Sequence, residues 1–250
     1  MQARDTQDVL EGLDAIIADA LARPSRLGLF ATLYRRVTAR VHVGVREGRF
    51  EDGPRMERFD AIFANRYFAA YAAHKAGEPC SRSWRVAFTA AEDSRYICLQ
   101  HLLLGMNAHI NLDLGIAAAE VCPGDALPGL QRDFEAINDI LLGMLNSVQA
   151  SLNELSPLLH VLDALLGTGD ELLASFSVVK ARRQAWRVAC LLAQLPEAAR
   201  PLLVDTLDQQ TAVLGRLLIR PDPLTAGAIA VIRSREPDDV AATIRALQAG

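Results

Sequence analysis

Apolar residues recur every three or four positions from the start of the chain. Val9, Leu10, Leu13, Ile16, Ile17, Ala20 and Leu21 form one face, which predicts an amphipathic helix that Pro24 ends. The same period predicts a second helix over about 26–46 and, after a turn at 48–54, a third over about 54–76, closed by Gly77 and Pro79. A looser stretch around 81–84 leads into a short helix ending near Asp93 and Ser94. A central helix follows over about 95–120, then a loop over 122–129. Further helices are expected over about 130–154, 157–166, 170–195, 196–218 and 237–248. No stretch alternates like a half-buried strand for more than a few residues; 228–232 is the one candidate, and it fits a helix as well. No internal repeat is visible, so the pattern reads as all-α: one single-domain bundle over 1–250, of nine or ten helices around a buried polar central helix.

Composition narrows this reading. At 250 residues the chain is near the upper limit of one hydrophobic core. Its 51% apolar content, rich in Leu and Ala and poor in aromatic residues, favours helix over sheet and excludes general disorder. The net charge is only -4 and the 26 basic residues are scattered, so no phosphate-binding stripe is present and nucleic acid is not an expected partner. Cys80, Cys98, Cys122 and Cys190 have neither paired metal-binding spacing nor the density of a disulfide scaffold, as befits reduced thiols in a cytoplasmic protein. Asp5, Asp8, Glu11 and Asp14 stand where an export signal would need a basic start. The longest apolar stretch, 96–121, is interrupted by Gln100, His101, Asn107, His109, Asn111 and Asp113, too polar for a lipid-exposed span, so membrane insertion is not expected.

Those same residues hold the chemistry. At about 100° per residue, His101, Gly105, His109 and Asp113 fall within roughly 120° of one face, while Gln100, Asn107 and Asn111 make a narrower second stripe. Both stripes lie among leucines, so the helix is buried and its imidazole, carboxamide and carboxylate groups need partners. His109 and Asp113, one turn apart, could ligate a divalent metal such as zinc, act as an acid–base pair, or be core groups with Asp113 paired to an arginine. His101 lies about 12 Å from His109 along the axis, too far to share one ion without a bend; Gly105 could permit a bend or leave room for a ligand.

On the third helix, Asp60, Ala64, Tyr67, Tyr71 and His74 share a face about 80° wide. Turned toward the central helix, Asp60 would supply a further ligand or base and the tyrosines would position a substrate; turned outward, the same face is a polar edge. Trp84, Phe88 and Trp186 read as core or pocket wall, and Arg182 or Arg183 could neutralise a buried carboxylate. No phosphate loop, nucleophile elbow, dinucleotide fingerprint or cysteine zinc motif is present.

The polar-helix motif QHLLLGMNAHINLDL at 100–114, with FDAIFANRYFAAY at 59–71, WRVAF at 84–88 and SPLL from Ser156, resembles a bacterial domain-of-unknown-function family, family five-nine-nine-five, over most of the chain. That resemblance implies an all-helical fold and assigns no catalytic residue. The pair His109 and Asp113 also has a fainter likeness to the His-x3-Asp pair of zinc-dependent phospholipase C and related helical nucleases. After His109 only His160 remains, with no carboxylate four residues on, so the trinuclear zinc site of those enzymes is not completed.

Two functions are expected. The first is an enzyme, metal-dependent in one version and with hydrolysis the least specific reaction, acting on a small organic molecule between the central and third helices. His101, His109, Asp113 and Asp60 would be its catalytic groups, His109 and Asp113 its metal ligands, and Asn107, Asn111, Tyr67, Tyr71 and Trp84 its substrate contacts. The alternative is a non-catalytic helical binding or scaffold protein whose His, Asp and Asn groups form a closed structural network. Access of His101, His109, Asp113 and Asp60 to one cavity separates the two readings.

Overall fold

Side-chain caps fix where several helices begin. The Asp5 carboxylate accepts the Asp8 backbone N–H at the start of α1 (Thr6–Ala22), satisfying a donor that a helix start leaves free, and α2 (Leu27–Arg46) follows. Asp52 caps α3 (Gly53–Ala76) and Ser81 caps α4 (Arg82–Ala91). The central rod α5 (Cys98–Val121) comes next, and a 3₁₀ turn, Gly124–Leu130, leads to α6 (Gln131–Leu155). Ser177 caps α7 (Val178–Gln194); α8 (Arg200–Leu218), α9 (Pro223–Arg233), capped by Asp222, and α10 (Val240–Ala249) complete the chain. This computed structural model describes residues 2–156, 158–159 and 177–249.

The described residues contain no strand, and the all-α reading holds. The strand candidate at 228–232 lies inside α9, a helix the periodicity did not separate. The 122–129 segment, expected as a loop, is mostly a 3₁₀ turn. Nearly all of the helix expected over 157–166, the start of that expected over 170–195, and His160 lie outside the described residues.

Two apolar cores form around α5. One gathers α1, α2, most of α3, α4, the first half of α5, the end of α6, α9 and α10; the other gathers the start of α3, the second half of α5, the 3₁₀ turn, the start of α6 and α7. α5 is long and apolar enough to cross a membrane by length and composition, but 78% of its apolar window is buried inside the protein, as in a core helix.

The rod is not uniform. Between α-helical Cys98–Met106 and Gly115–Val121, residues Asn107–Leu114 form a π-helix. Such i→i+5 turns are wider than α turns and shift the angular phase of every residue beyond them. Glycines flank the segment and let neighbours approach: a Cβ on Gly105 would lie 2.4 Å from Phe30 Cγ, and one on Gly115 would lie 2.6 Å from the Ala185 carbonyl oxygen. The space at Gly105 is therefore filled by Phe30 from α2, not open to a ligand.

Candidate functional site

The π segment turns His109 and Asp113 toward α2, α3 and α4. The His109 ring stacks on Phe63 with centroids 3.6 Å apart and planes 12° from parallel; Tyr34 lies 4.3 Å away and Phe30 meets its edge at 5.5 Å. Burial, and then the Arg66 charge, hold its basicity well below the ordinary histidine range, so the imidazole is neutral. Asp113 accepts hydrogen bonds from Arg66 Nε at 2.8 Å and Trp84 Nε1 at 2.7 Å. Burial raises its carboxyl above the usual range, while Arg66 and Trp84 pull it back.

Around this pair lie polar atoms with no partner. Tyr34 Oη, Thr38 Oγ1, Asp60 Oδ2, Tyr67 Oη and both ring nitrogens of His109 are buried and outside hydrogen-bond geometry, although the Thr38 hydroxyl is close enough to Tyr34 to ease its ionisation slightly. They belong together: Tyr34 and Tyr67 are 6.1 Å apart by ring centroids, Tyr67 and His109 6.5 Å, and Tyr34 feels the charges of Asp60 and Asp113. Desolvation alone pushes Asp60 up to about 7; desolvation first, then the Asp60 and Asp113 charges at Tyr34 and Tyr71 at Tyr67, keep both tyrosines protonated. A buried polar group left unpaired costs roughly 1–3 kcal/mol, so five such side chains in one aromatic-walled place call for an explanation.

The other expected site residues have separate positions. His101 faces away from this cluster: its ring meets Tyr96 edge-on at 6.2 Å, and it lines a small cavity near α9 and α10 that reaches none of His109, Asp113 or Asp60. Asn107 donates to the Thr211 carbonyl at 2.9 Å, Asn111 to Asn107 Oδ1 at 2.9 Å and Gln100 to the Leu218 carbonyl at 2.9 Å, so this stripe fastens α5 to α8. Tyr71 donates to Asp19 Oδ2 at 3.2 Å, while Trp84, besides holding Asp113, stacks on Phe88 at 5.2 Å. The arginine that neutralises the buried carboxylate is Arg66. Arg182 instead donates to the Phe134 carbonyl and to Asn138 Oδ1, and lies over the Phe134 ring.

Sequence reasoning missed Tyr34, Thr38, Phe63 and Arg66. Tyr34 and Thr38, four apart on α2 beside Phe30 and Ala31, carried a signal as a polar pair on an apolar face; Arg66 carried none. Among the described residues no group of three or more His, Cys, Asp or Glu side chains converges as a metal site. The two Asp113 oxygens already accept from Arg66 and Trp84, and the Arg66 charge beside them opposes a second cation there.

An all-helical protein with a buried, aromatic-walled polar cluster on a π-helical rod is the class this geometry defines. Within it, the chain belongs to the family of unknown function DUF5995, which matches residues 6–221. The match covers α1 to α8 and every residue of the cluster, and it ends before α9. A search of curated proteins and a search of solved structures each return no match to the chain.

Proposed function

We propose that this protein is an enzyme that binds a small polar organic molecule between α2, α3 and α5 and acts on it by metal-free acid–base chemistry. The carrying observation is the convergence of unpaired buried atoms from Tyr34, Thr38, Asp60, Tyr67 and His109, which a bound molecule would satisfy. Asp60, with a carboxyl near 7, is suited to both take and give a proton at neutral pH. In a hydrolysis it takes a proton from the attacking water and returns it to the leaving group. Neutral His109 offers one donor and one acceptor, the Tyr34 and Tyr67 hydroxyls orient the molecule, and the Arg66–Asp113–Trp84 triad holds the floor. Phe63 and Arg66, both half-buried on α3, lie between the buried groups they touch, His109 and Asp113, and the surface.

Thermal-shift screening of small polar molecules against the wild type, Asp60→Asn and Tyr67→Phe tests the proposal. A supporting compound raises the wild-type melting temperature, has a much weaker effect on both variants, and is turned over by the wild type but not by Asp60→Asn. Failure of every stabilising compound to depend on Asp60 and Tyr67 sinks it.

The pairing of Asp113, Asn107, Asn111 and Gln100 with protein partners favours a second reading, a non-catalytic binding or scaffold protein whose polar core fixes the register of α5. There, Asp60→Asn and His109→Gln alter stability alone.

A further inference from the structure

A groove between α4 and the end of α8 collects charge that the sequence scatters. α4 packs along α8, and Gly215 allows the close contact: a Cβ there would lie 3.3 Å from Val86 Cγ1. Beside it an open groove of about 260 Å³ is lined by Arg85 and Thr89 from α4, Arg216 from α8, Arg220 just beyond α8, and Asp93 and Tyr96 from the segment leading into α5. Position 85 is far from 216 and 220 in the chain, and only the packing of α4 on α8 gives the three arginines one site.

Arg85, Arg216 and Arg220 are exposed, and none makes a side-chain hydrogen bond or an ion pair among the described residues. Each guanidinium therefore ends a flexible stem that can swing over the groove without breaking an existing bond. The one carboxylate in the lining, Asp93, has both oxygens held by Arg95, which lies outside the lining, with the shortest contact at 2.7 Å. Nearby carboxylates are engaged as well: Asp205 and Asp208 with Arg82 at 2.6 and 3.7 Å, Glu92 with His74 at 3.7 Å, and Asp222 at the cap of α9. Even with Asp93 counted in full, three positive charges in the lining meet one negative charge. The smaller cavity beside His101, which shares Tyr96 with the groove, is balanced instead. There Arg233 pairs with Asp238, and Arg26 is offset by Glu236, whose carboxylate accepts the Cys98 backbone N–H through both oxygens at 3.1 and 3.0 Å.

We infer that this groove binds a small phosphate monoester, with Arg85, Arg216 and Arg220 taking the phosphate group. Such an ester carries a charge of about -1.5 to -2 at neutral pH, which matches the excess in the lining. Its oxygens can accept guanidinium forks from more than one side. The Thr89 hydroxyl, unpaired among the described residues, adds a donor. The complement of a cation with the carbonyls at the end of α8 accounts for Arg216 but not for Arg85 on the other wall. The groove's volume of about 260 Å³ is far more than a bare phosphate fills and approaches the roughly 300 Å³ at which small-molecule sites begin. Val86, Ile219 and the Tyr96 ring offer the organic part an apolar wall. Three arginines in one concavity, on a chain of net charge -4, make no extended track for a nucleic-acid backbone.

Phenyl phosphate is the probe, titrated calorimetrically into the full chain at fixed ionic strength. Inorganic phosphate tests the bare group, phenyl sulfate keeps the shape with a single charge, and a short oligothymidylate offers a nucleic-acid backbone. Phenyl phosphate should bind saturably and more tightly than the other three, and its affinity should fall as sodium chloride is raised. Arg85→Gln and Arg216→Gln, at exposed positions without partners, should each weaken it by about threefold to tenfold, the range of a charge-assisted hydrogen bond partly screened by solvent. Arg132→Gln, which removes an exposed arginine outside the groove, should leave it unchanged. Absence of saturable binding, equal affinity for inorganic phosphate or phenyl sulfate, tighter binding of the oligothymidylate, or unchanged affinity in either groove variant overturns the inference, independently of the Asp60 cluster.

Discussion

Removing one oxygen atom tests the logic of the buried cluster. Tyr67 is 1% exposed and its hydroxyl has no partner, so Tyr67→Phe deletes a desolvated group and no hydrogen bond. A hydroxyl buried unpaired costs roughly 1–3 kcal/mol, and the small void left by its loss costs under about 1 kcal/mol. The unliganded variant should therefore be more stable than wild type by about 1 kcal/mol, or about 2–4 °C in melting temperature for a chain of this size. Tyr71→Phe is the control, because the Tyr71 hydroxyl donates to Asp19; its loss should cost up to about 1 kcal/mol. Urea titration gives both values, with an unchanged m-value confirming that only stability has moved. If Tyr67→Phe is destabilised as much as Tyr71→Phe, the Tyr67 hydroxyl is satisfied in the folded chain and the need for a guest disappears.

Other expectations follow from the same contacts. Gly105→Ala should destabilise by about 1–3 kcal/mol or more in thermal melts, because its Cβ would meet Phe30 at 2.4 Å, and Phe30→Leu should recover part of the loss. Trp84→Phe strips one partner from Asp113 and shrinks a buried ring, and should cost about 1–3 kcal/mol or more by urea titration. In pH-dependent unfolding, Asp60, raised from 3.8 to about 7 in the fold, contributes stability that is full at acid pH and is lost as pH climbs through that window. His109, depressed in the fold, contributes stability present above its ordinary 6.5 and lost as pH falls below it. The two slopes oppose each other between about 4 and 6.5, so Asp60→Asn should steepen the loss on acidification and His109→Gln should lessen it.

Most of the helices were legible because each buries one face at a period of 3.6, which the apolar spacing displays. The burial of the central rod was legible for the same reason, since leucines surround it on every side. Its geometry was not. Placing His101 and His109 near one face assumes uniform α turns, and the wider turns over Asn107–Leu114 break that phase without any marker in residue type. Asp113 was readable as a group in need of an arginine, but which arginine depends on how α3 crosses α5, a tertiary fact that sent Arg66 there and left Arg182 on Phe134. Tyr34 and Thr38 escaped notice because a hydroxyl pair on an apolar helix face usually finds its partners within the core. Only the packing of α2 on α3 and α5 reveals that these hydroxyls find none.

The hold of Glu236 on the Cys98 amide reaches further than one capped helix. A polypeptide cut at residue 221 would keep every residue of the Asp60 cluster but leave the first amide of its longest apolar helix bare. Water would then be the acceptor at that point, and the helix start would be free to fray toward the bend that aims His109 and Asp113.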